Sequence, residues 1–390
     1  MDNISKINHN RCTGCMLCYN ICPKKCISID TDSEGFIIPK INYKECVECG
    51  ICLKNCPSNS KPAGKKPFKA YALQVKNVNE LLESSSGGVA YSIAKTIISS
   101  GGVAYGARFD SNFNLSHSRA STIQELNEHR GSKYLQSNIS ECLKSLKEDC
   151  ETGTNVVFVG TPCQIAAVKK YLKKDYNNLL LIDLICHGVP SQSLFKDYIE
   201  WKKRKLNLKK VLKYEFRNKK YGWATNYKIE GEHKTKYGSA LEDPYYSDFI
   251  GAKNYRLSCY TCNYANLERQ GDLTIGDYWG ISKIYKNLEF EVKNGVSCVL
   301  VNTKKGNDFI LNNIKQYNCV DSKIEDIVEN NGNLREPAHM PEDRKDYYKN
   351  VNYNKKNIIL KFKLKYYKSK INRLLPSKIK KIIKKIIKGG

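Results

Sequence analysis

The 390-residue chain contains no run of about 18 uninterrupted apolar residues, so no membrane-spanning helix is expected. Its opening, MDNISKINHN, lacks the apolar core of a secretory signal, which argues for a reducing cytosolic setting. Acidic residues are scarce: 39 Asp and Glu stand against 65 Lys and Arg, a formal charge of +26. That excess looks like a nucleic-acid footprint until it is located. Residues 354–390 hold 14 Lys and Arg and no acidic residue, which leaves +12 for the other 353 positions. Over residues 1–60, seven basic and six acidic side chains nearly cancel. Basic residues interleaved with aromatics across the main body are also missing, and no specific nucleic-acid partner is expected.

What the chain has in excess is cysteine, 17 in all. In reducing cytosol that density points to metal rather than to disulfides. Cys12, Cys15, Cys18, Cys22 and Pro23 recur 34 residues later as Cys46, Cys49, Cys52, Cys56 and Pro57. Three thiolates at intervals of three residues wrap one face of an iron-sulfide cube, and the fourth of each run reaches across to the other cluster. The expected ligand sets are Cys12, Cys15, Cys18 and Cys56 for one 4Fe-4S cluster and Cys46, Cys49, Cys52 and Cys22 for the second. A pair of zinc sites is the alternative, but zinc favours tetrahedral pairs with longer separations and gives no reason for the Pro after each fourth Cys. Cys26 falls outside the pattern and reads as a small buried apolar residue. CISID and GFIIPKIN read as short strands of a fold with little core of its own. Residues 9–57 resemble the bacterial two-cluster 4Fe-4S ferredoxins, with every ligand position filled.

SNSKPAGKKPFK has the composition of a linker and places a boundary near residues 58–68. The expected units are residues 1–60, 61–353 and the basic tail 354–390. From residue 69, apolar strands (AYALQV, GVAYGARF, NVVFVG, LLLIDLIC) alternate with helical segments near residues 87–99, 138–150, 162–173 and 192–205, which predicts an α/β sheet with parallel pairs. Beyond Leu208, shorter strands (VLKYEFRN, TNYKIE, DLTIGDYWG, GVSCVLVN) read as α+β, completing that sheet or covering its edge.

Three loops follow strands. Ser86, Gly87 and Gly88 precede one helix and Gly160, Thr161 and Pro162 open another; free N-H groups at such positions suit a phosphate, though plain turn chemistry explains them too. Cys186, His187 and Gly188 end a third strand. In order, SSSGGVAYSIAKTIISSGGVAYGARFD, GSKYLQS, GTPCQIAAVKKYL, CHGVP, FRNKKYGW, SCYTC and GDLTIGDYWG are similar to the beta subunit family of coenzyme F420 hydrogenases and dehydrogenases, over nearly all of residues 71–303. The resemblance implies an FAD-containing iron-sulfur oxidoreductase. Its flavin would be surrounded by Ser86, Gly87 and Gly88, by Ser132, Lys133 and Tyr134, and by Gly160, Thr161 and Pro162. His187 would donate to flavin or to cluster sulfur, a satisfied structural histidine being the alternative.

Cys163, Cys186, Cys259 and Cys262 match the family's pattern and suit a third 4Fe-4S cluster; a four-cysteine zinc site or unrelated buried thiols are the alternatives. Cys142, Cys150, Cys298 and Cys319 read as structural, Arg217 and Lys219 as an exposed basic strand with contact to an acidic substrate as the alternative, Asp277 as a turn residue, Tyr278 and Trp279 as core rather than flavin stackers, and Lys133 as either a partner of flavin N1 or phosphate or a solvated lysine. The expected fold is an α+β ferredoxin domain, then an α/β mixed-sheet flavin-binding domain, then a basic amphipathic C-terminal helix. In that helix Ile379, Ile382, Ile383, Ile386 and Ile387 oppose lysines, so an anionic membrane surface is an expected partner, at the inner face of a membrane. The other expected partners are an external one-electron carrier or redox protein and an organic two-electron substrate, a deazaflavin (coenzyme F420) or another. The rival readings are an electron-transfer subunit without hydride chemistry and a nucleic-acid binding iron-sulfur protein.

Overall fold

Asp32 turns the chain between the first two strands, its carboxylate accepting the backbone N-H groups of Glu34 and Phe36. β1 (Ile27–Thr31) therefore pairs antiparallel with β2 (Ile37–Ile41), Ile27 opposite Ile41. Each CxxCxxC run winds into a short helix, Leu17–Ile21 and Ile51–Lys54. The computed structural model describes residues 2–353.

The remaining strands are β3 (Lys69–Val75), β4 (Val103–Phe109), β5 (Leu115–Ala120), β6 (Val156–Gly160), β7 (Leu179–Leu184), β8 (Val211–Glu215), β9 (Asn226–Gly231), β10 (Thr235–Ser239), β11 (Leu273–Asp277), β12 (Ser297–Val301) and β13 (Tyr317–Ser322). Eight of them form one sheet in the order β13-β3-β12-β11-β7-β6-β4-β5. Its centre is parallel, β4 on β6, β6 on β7 and β7 on β11. AYALQV departs from expectation: as β3 it pairs antiparallel with β12 and β13 and lies outside the parallel core. DLTIGDYWG and GVSCVLVN complete this sheet, whereas VLKYEFRN and TNYKIE build a separate antiparallel sheet, β10-β9-β8.

Helix Val89–Ser99 buries Val89, Ile93 and Ile97 with sheet residues including Leu73, Ala104 and Val157. Helices Cys142–Glu151 and Pro162–Leu172 pack in a second core through Leu143, Leu146, Ile165 and Val168. The expected helix start at residue 138 moves to Cys142, because the backbone of Asn138 is pairing beside β5, with Leu115 and His117. Helix Gln192–Leu206 and the small sheet enclose an aromatic core of Phe195, Tyr198, Tyr214, Phe216 and Tyr245.

The amino-terminal unit is part of this packing. Leu17, 1% exposed, sits in the core built by helices Cys142–Glu151 and Pro162–Leu172. SNSKPAGKKPFK is likewise no free linker: Lys65 and Arg269 exchange both backbone hydrogen bonds at 2.8 Å, and Lys169 donates to the Ala63 carbonyl. Composition could not reveal this, since the partners lie far along the chain. The amphipathic helix expected at the basic end falls outside the described residues. No helix among the described residues is long and apolar enough to cross a membrane.

Candidate iron-sulfur and cofactor centres

Gly14 takes φ +65°, and a Cβ there would lie 2.6 Å from the Ile37 carbonyl and 2.3 Å from the Gln136 amide. Only glycine lets the first cysteine loop come this close to the large domain. Burial pushes the Cys15 thiol up to about 12, and the adjacent Cys56 and Cys12 add to the shift. Cys18 is raised in the same way, by burial and then by Cys15, Cys12 and Cys56. Cys12, Cys15, Cys18 and Cys56 thus lie near one another. Cys22, Cys46, Cys49 and Cys52 line a second cavity together with Cys26. Cys26 is buried as expected, packed with Ile4 and Ile27, and its sulfur also lies 3.4 Å from that of Cys22.

A third set forms where three distant segments meet. Cys163 lies in the first turn of helix Pro162–Leu172, Cys186 follows β7, and Cys259 and Cys262 belong to the turn after residue 256. Burial raises Cys163 and Cys259 to about 12, and neighbouring thiols reinforce the shift: Cys262 and Cys259 on Cys163, Cys262 on Cys259. Cys186 is raised well above the usual thiol range by burial, then by Cys259, Cys163 and Cys262. Arg256 holds this turn against the first cysteine loop, donating through Nε to the Cys12 carbonyl at 2.6 Å and through Nη1 to the Ile37 carbonyl at 3.0 Å. Gln136 braces the same joint through the Thr13 carbonyl. Among the described residues, no three His, Cys, Asp or Glu side chains converge tightly enough for a single metal ion. Ligands of an iron-sulfur cube stand further apart than those of one ion, because iron and sulfide lie between them.

Tyr264, which sequence reasoning missed, stands between the first and third sets. It is 4% exposed, its hydroxyl has no hydrogen-bond partner, and after burial the thiols that raise its pKa are Cys163, Cys15, Cys262 and Cys56. Nothing in its local pattern, a tyrosine two residues after a cysteine, signals that position.

The loops assigned to flavin come together at the carboxyl end of the sheet. Ser132 donates its N-H to Ser85 Oγ at 2.7 Å, joining the Gly-Ser-Lys-Tyr segment to the Gly-Gly loop. Gln164, in the helix opened by Gly160, Thr161 and Pro162, donates to the Ser137 carbonyl. Tyr134 stacks on Phe249 and accepts a hydrogen bond from Arg217, which also pairs with Asp277 at 2.6 Å. His187 keeps exposed surface while desolvation by the surrounding protein lowers its pKa, with Asp277 and Arg217 nearby.

The readings of Arg217, Lys219 and Trp279 need correction. Arg217 and Lys219 are 6% and 8% exposed and do not form an exposed basic strand; the Lys219 amine donates to the Leu81 and Ser86 carbonyls. Trp279 is half-buried, stacked on Trp223 rather than in the core, while Tyr278 is fully buried. Cys319 is exposed. Lys133 caps the helix Ile123–His129 through the carbonyls of His129, Arg130 and Gly131, and burial lowers its amine to about 7. A Cβ on Gly87 would strike the Leu73 carbonyl at 2.2 Å, so packing against the sheet explains that glycine. Thr161 and Gln164 close a capping box, leaving few free donors at that helix start, whereas the helix after Gly88 has no side-chain cap.

Residues 153–326 match the family model for the C terminus of the coenzyme F420 hydrogenase/dehydrogenase beta subunit, and residues 11–60 match the 4Fe-4S dicluster domain. No curated protein matches the chain. Among solved structures, a chain of the F420-reducing NiFe hydrogenase complex from Methanosarcina barkeri (a xenon derivative) shares 18% identity, over 68% of this chain and 85% of that one, with a TM-score of 0.46. The chain therefore joins a 4Fe-4S dicluster domain to a C-terminal domain of the coenzyme F420 hydrogenase/dehydrogenase beta subunit family.

Proposed function

We propose that this protein is an iron-sulfur flavoprotein oxidoreductase that moves single electrons between an external carrier and a bound FAD. FAD, when bound, would exchange a hydride with an organic substrate, a deazaflavin (coenzyme F420) or another. The observation that carries this reading is the convergence of Cys163, Cys186, Cys259 and Cys262 beside Tyr264, across from Cys15 and Cys56. Under it, Cys46, Cys49, Cys52 and Cys22 hold the cluster nearer solvent, where Cys49 is exposed, and Cys12, Cys15, Cys18 and Cys56 hold the next. The third set holds a 4Fe-4S cluster beside His187.

The region around Tyr134, His187 and Arg217 suits a flavin in several respects. The uncapped start of helix Val89–Ser99 offers backbone N-H groups to a phosphate, and the Lys219 amine fixes the loop before it through Ser86. Tyr134 and His187 present an aromatic and an imidazole face. Tyr246, buried beside Tyr134, adds a second aromatic ring next to the same loops. The Arg217 guanidinium, anchored by Asp277, supplies positive charge to an anionic substrate or ring.

A carrier of electrons without hydride chemistry is the second reading, favoured by the Gln164 side chain, which occupies the Thr161 N-H of the Gly160–Thr161–Pro162 loop. One preparation separates the two. The full chain, purified without oxygen, is expected to be yellow, to hold about twelve irons and to contain no stoichiometric zinc. Cys259→Ala is expected to lose about four of those irons and to slow flavin reduction by dithionite-reduced ferredoxin clusters. A flavin-free chain with full iron supports the second reading, and zinc in the third set defeats the proposed route.

A further inference from the structure

We infer that Cys26 is a reserve ligand of the solvent-side cluster, placed to exchange with Cys22. The inference rests on the two-cluster reading of residues 1–60 and extends it to a residue outside the ligand repeat.

The geometry follows from a local turn. Lys25 takes φ +51° and donates its N-H to the Cys22 carbonyl, folding the chain back after Pro23. Cys26 then enters β1, where its carbonyl accepts the Asn42 N-H at 2.8 Å and Ile27 pairs with Ile41. Anchored this way, its side chain stands over Cys22, with 3.4 Å between the sulfurs. Cys26 is 5% exposed and lines the cavity that Cys22, Cys46, Cys49 and Cys52 also line. Five thiols therefore face a site whose cluster takes four.

The repeat supplies an internal comparison. Four residues after Cys22 comes Cys26, but four residues after Cys56 comes Ser60. Ser60 donates its N-H to the Cys56 carbonyl and its hydroxyl accepts a bond from Lys170, so that half contains no fifth thiol. The spare belongs only to the cavity nearer solvent, where Cys49 is exposed and Val47 and Tyr43 are 59% and 56% exposed. That is also the cluster most open to attack on a ligand.

Exchange needs no outside reagent. The iron bond to Cys22 sulfur breaks, a bond to Cys26 sulfur forms, and the thiol proton of Cys26 passes to the released Cys22 thiolate. No electron is gained or lost.

The test uses the full chain purified without oxygen, reading iron per chain and the low-temperature EPR spectrum of the reduced protein. Cys22→Ala and Cys26→Ala are each expected to keep the parent's iron, with an EPR signal altered in Cys22→Ala. Cys22→Ala/Cys26→Ala is expected to lose about four irons. Cys56→Ala, with only Ser60 behind it, is expected to lose its cluster without rescue. If Cys22→Ala loses as much iron as the double variant, the inference is overturned. Should Cys22→Ala fail to fold by circular dichroism, Cys22→Val, which likewise offers no donor to iron, carries the same comparison with the same overturning result. A parent chain without iron in this half defeats the two-cluster reading itself, a result distinct from a full parent and an empty Cys22→Ala.

Discussion

Arg344 grips Glu34 with both guanidinium nitrogens, Nη1 to Oε1 at 3.0 Å and Nη2 to Oε2 at 2.7 Å, across 310 residues of sequence. Its Nε donates to the Tyr255 carbonyl at 2.8 Å, so one fully buried side chain ties the β1–β2 turn to the wall of the third thiol set. After burial, the largest influences on Tyr255 are the Cys186 and Cys259 thiols. The pair is therefore a clamp between the ferredoxin unit and the site it is proposed to feed.

Removing one partner strands the other. Glu34→Ala leaves a buried guanidinium without its carboxylate, which costs on the order of 3 kcal/mol. The expected result is a lower urea midpoint and faster tryptic cleavage within residues 58–68, with Glu34→Gln intermediate because it keeps one acceptor. Unchanged midpoints in Glu34→Ala would show that the two units hold together without the clamp.

Gly14 and Gly50 both take left-handed backbone before their cysteine helices, at φ +65° and +73°, though at different places in the repeat, where their counterparts are Glu48 and Met16, and their surroundings differ. Around Gly50 an added Cβ meets nothing closer than 3.7 Å. Gly50→Ala should therefore cost only the backbone strain, about 1 kcal/mol. Gly14→Ala must also displace the Ile37 carbonyl and Gln136, and it should cost several-fold more and lower iron retention in the first cluster. Denaturant midpoints and iron content of the two variants decide it, and equal effects would contradict the close approach.

The contrast between those glycines shows what the sequence makes legible. The cysteine spacings are local covalent geometry, so the thiol sets of the ferredoxin half can be read directly from the chain. The parallel centre of the sheet follows from strand and helix alternation. The antiparallel placement of β3 does not, because its partners β12 and β13 lie more than 200 residues away. Arg217 and Lys219 look like surface residues for the same reason: the Asp277 carboxylate that pairs with Arg217, and the Ser86 carbonyl that receives Lys219, are remote in sequence. Cys26 was hidden differently. Its four-residue offset from Cys22 is outside the ligand pattern, and only the turn at Lys25 brings the two sulfurs together.

Acid should loosen the large domain through His117. Its ring is bonded on both sides, Nδ1 with Ser137 and Nε2 with the Val159 carbonyl, and burial lowers its pKa from 6.5 to about 4. Between those values the unfolded chain binds the proton and the folded chain does not, so stability falls as pH drops from 6.5 toward 4. Urea midpoints of the cluster-free chain at pH 7 and pH 5 are expected to show this fall, and His117→Gln should flatten it. His129, lowered to about 3, contributes in the same direction, so some slope should remain. An unaltered slope in His117→Gln would assign the acid sensitivity elsewhere.

Tyr264 offers the sharpest test of the route between the first and third thiol sets. Its buried hydroxyl has no partner within the protein, and a stranded polar group of this kind costs about 1–3 kcal/mol. Tyr264→Phe keeps the ring and removes that group, so the cluster-free chain should be as stable as the parent or more so. Once clusters are built the balance should reverse, because the hydroxyl then has sulfur within reach and donates to it. A hydrogen bond to cluster sulfur favours the reduced, more negative cluster, so its loss should lower that cluster's reduction potential. The paired measurement is thermal melting of the cluster-free and reconstituted variants, with an EPR-monitored redox titration of the latter. If Tyr264→Phe leaves both the potential and the reconstituted stability unchanged, the hydroxyl points away from the clusters and Tyr264 is only a spacer between them.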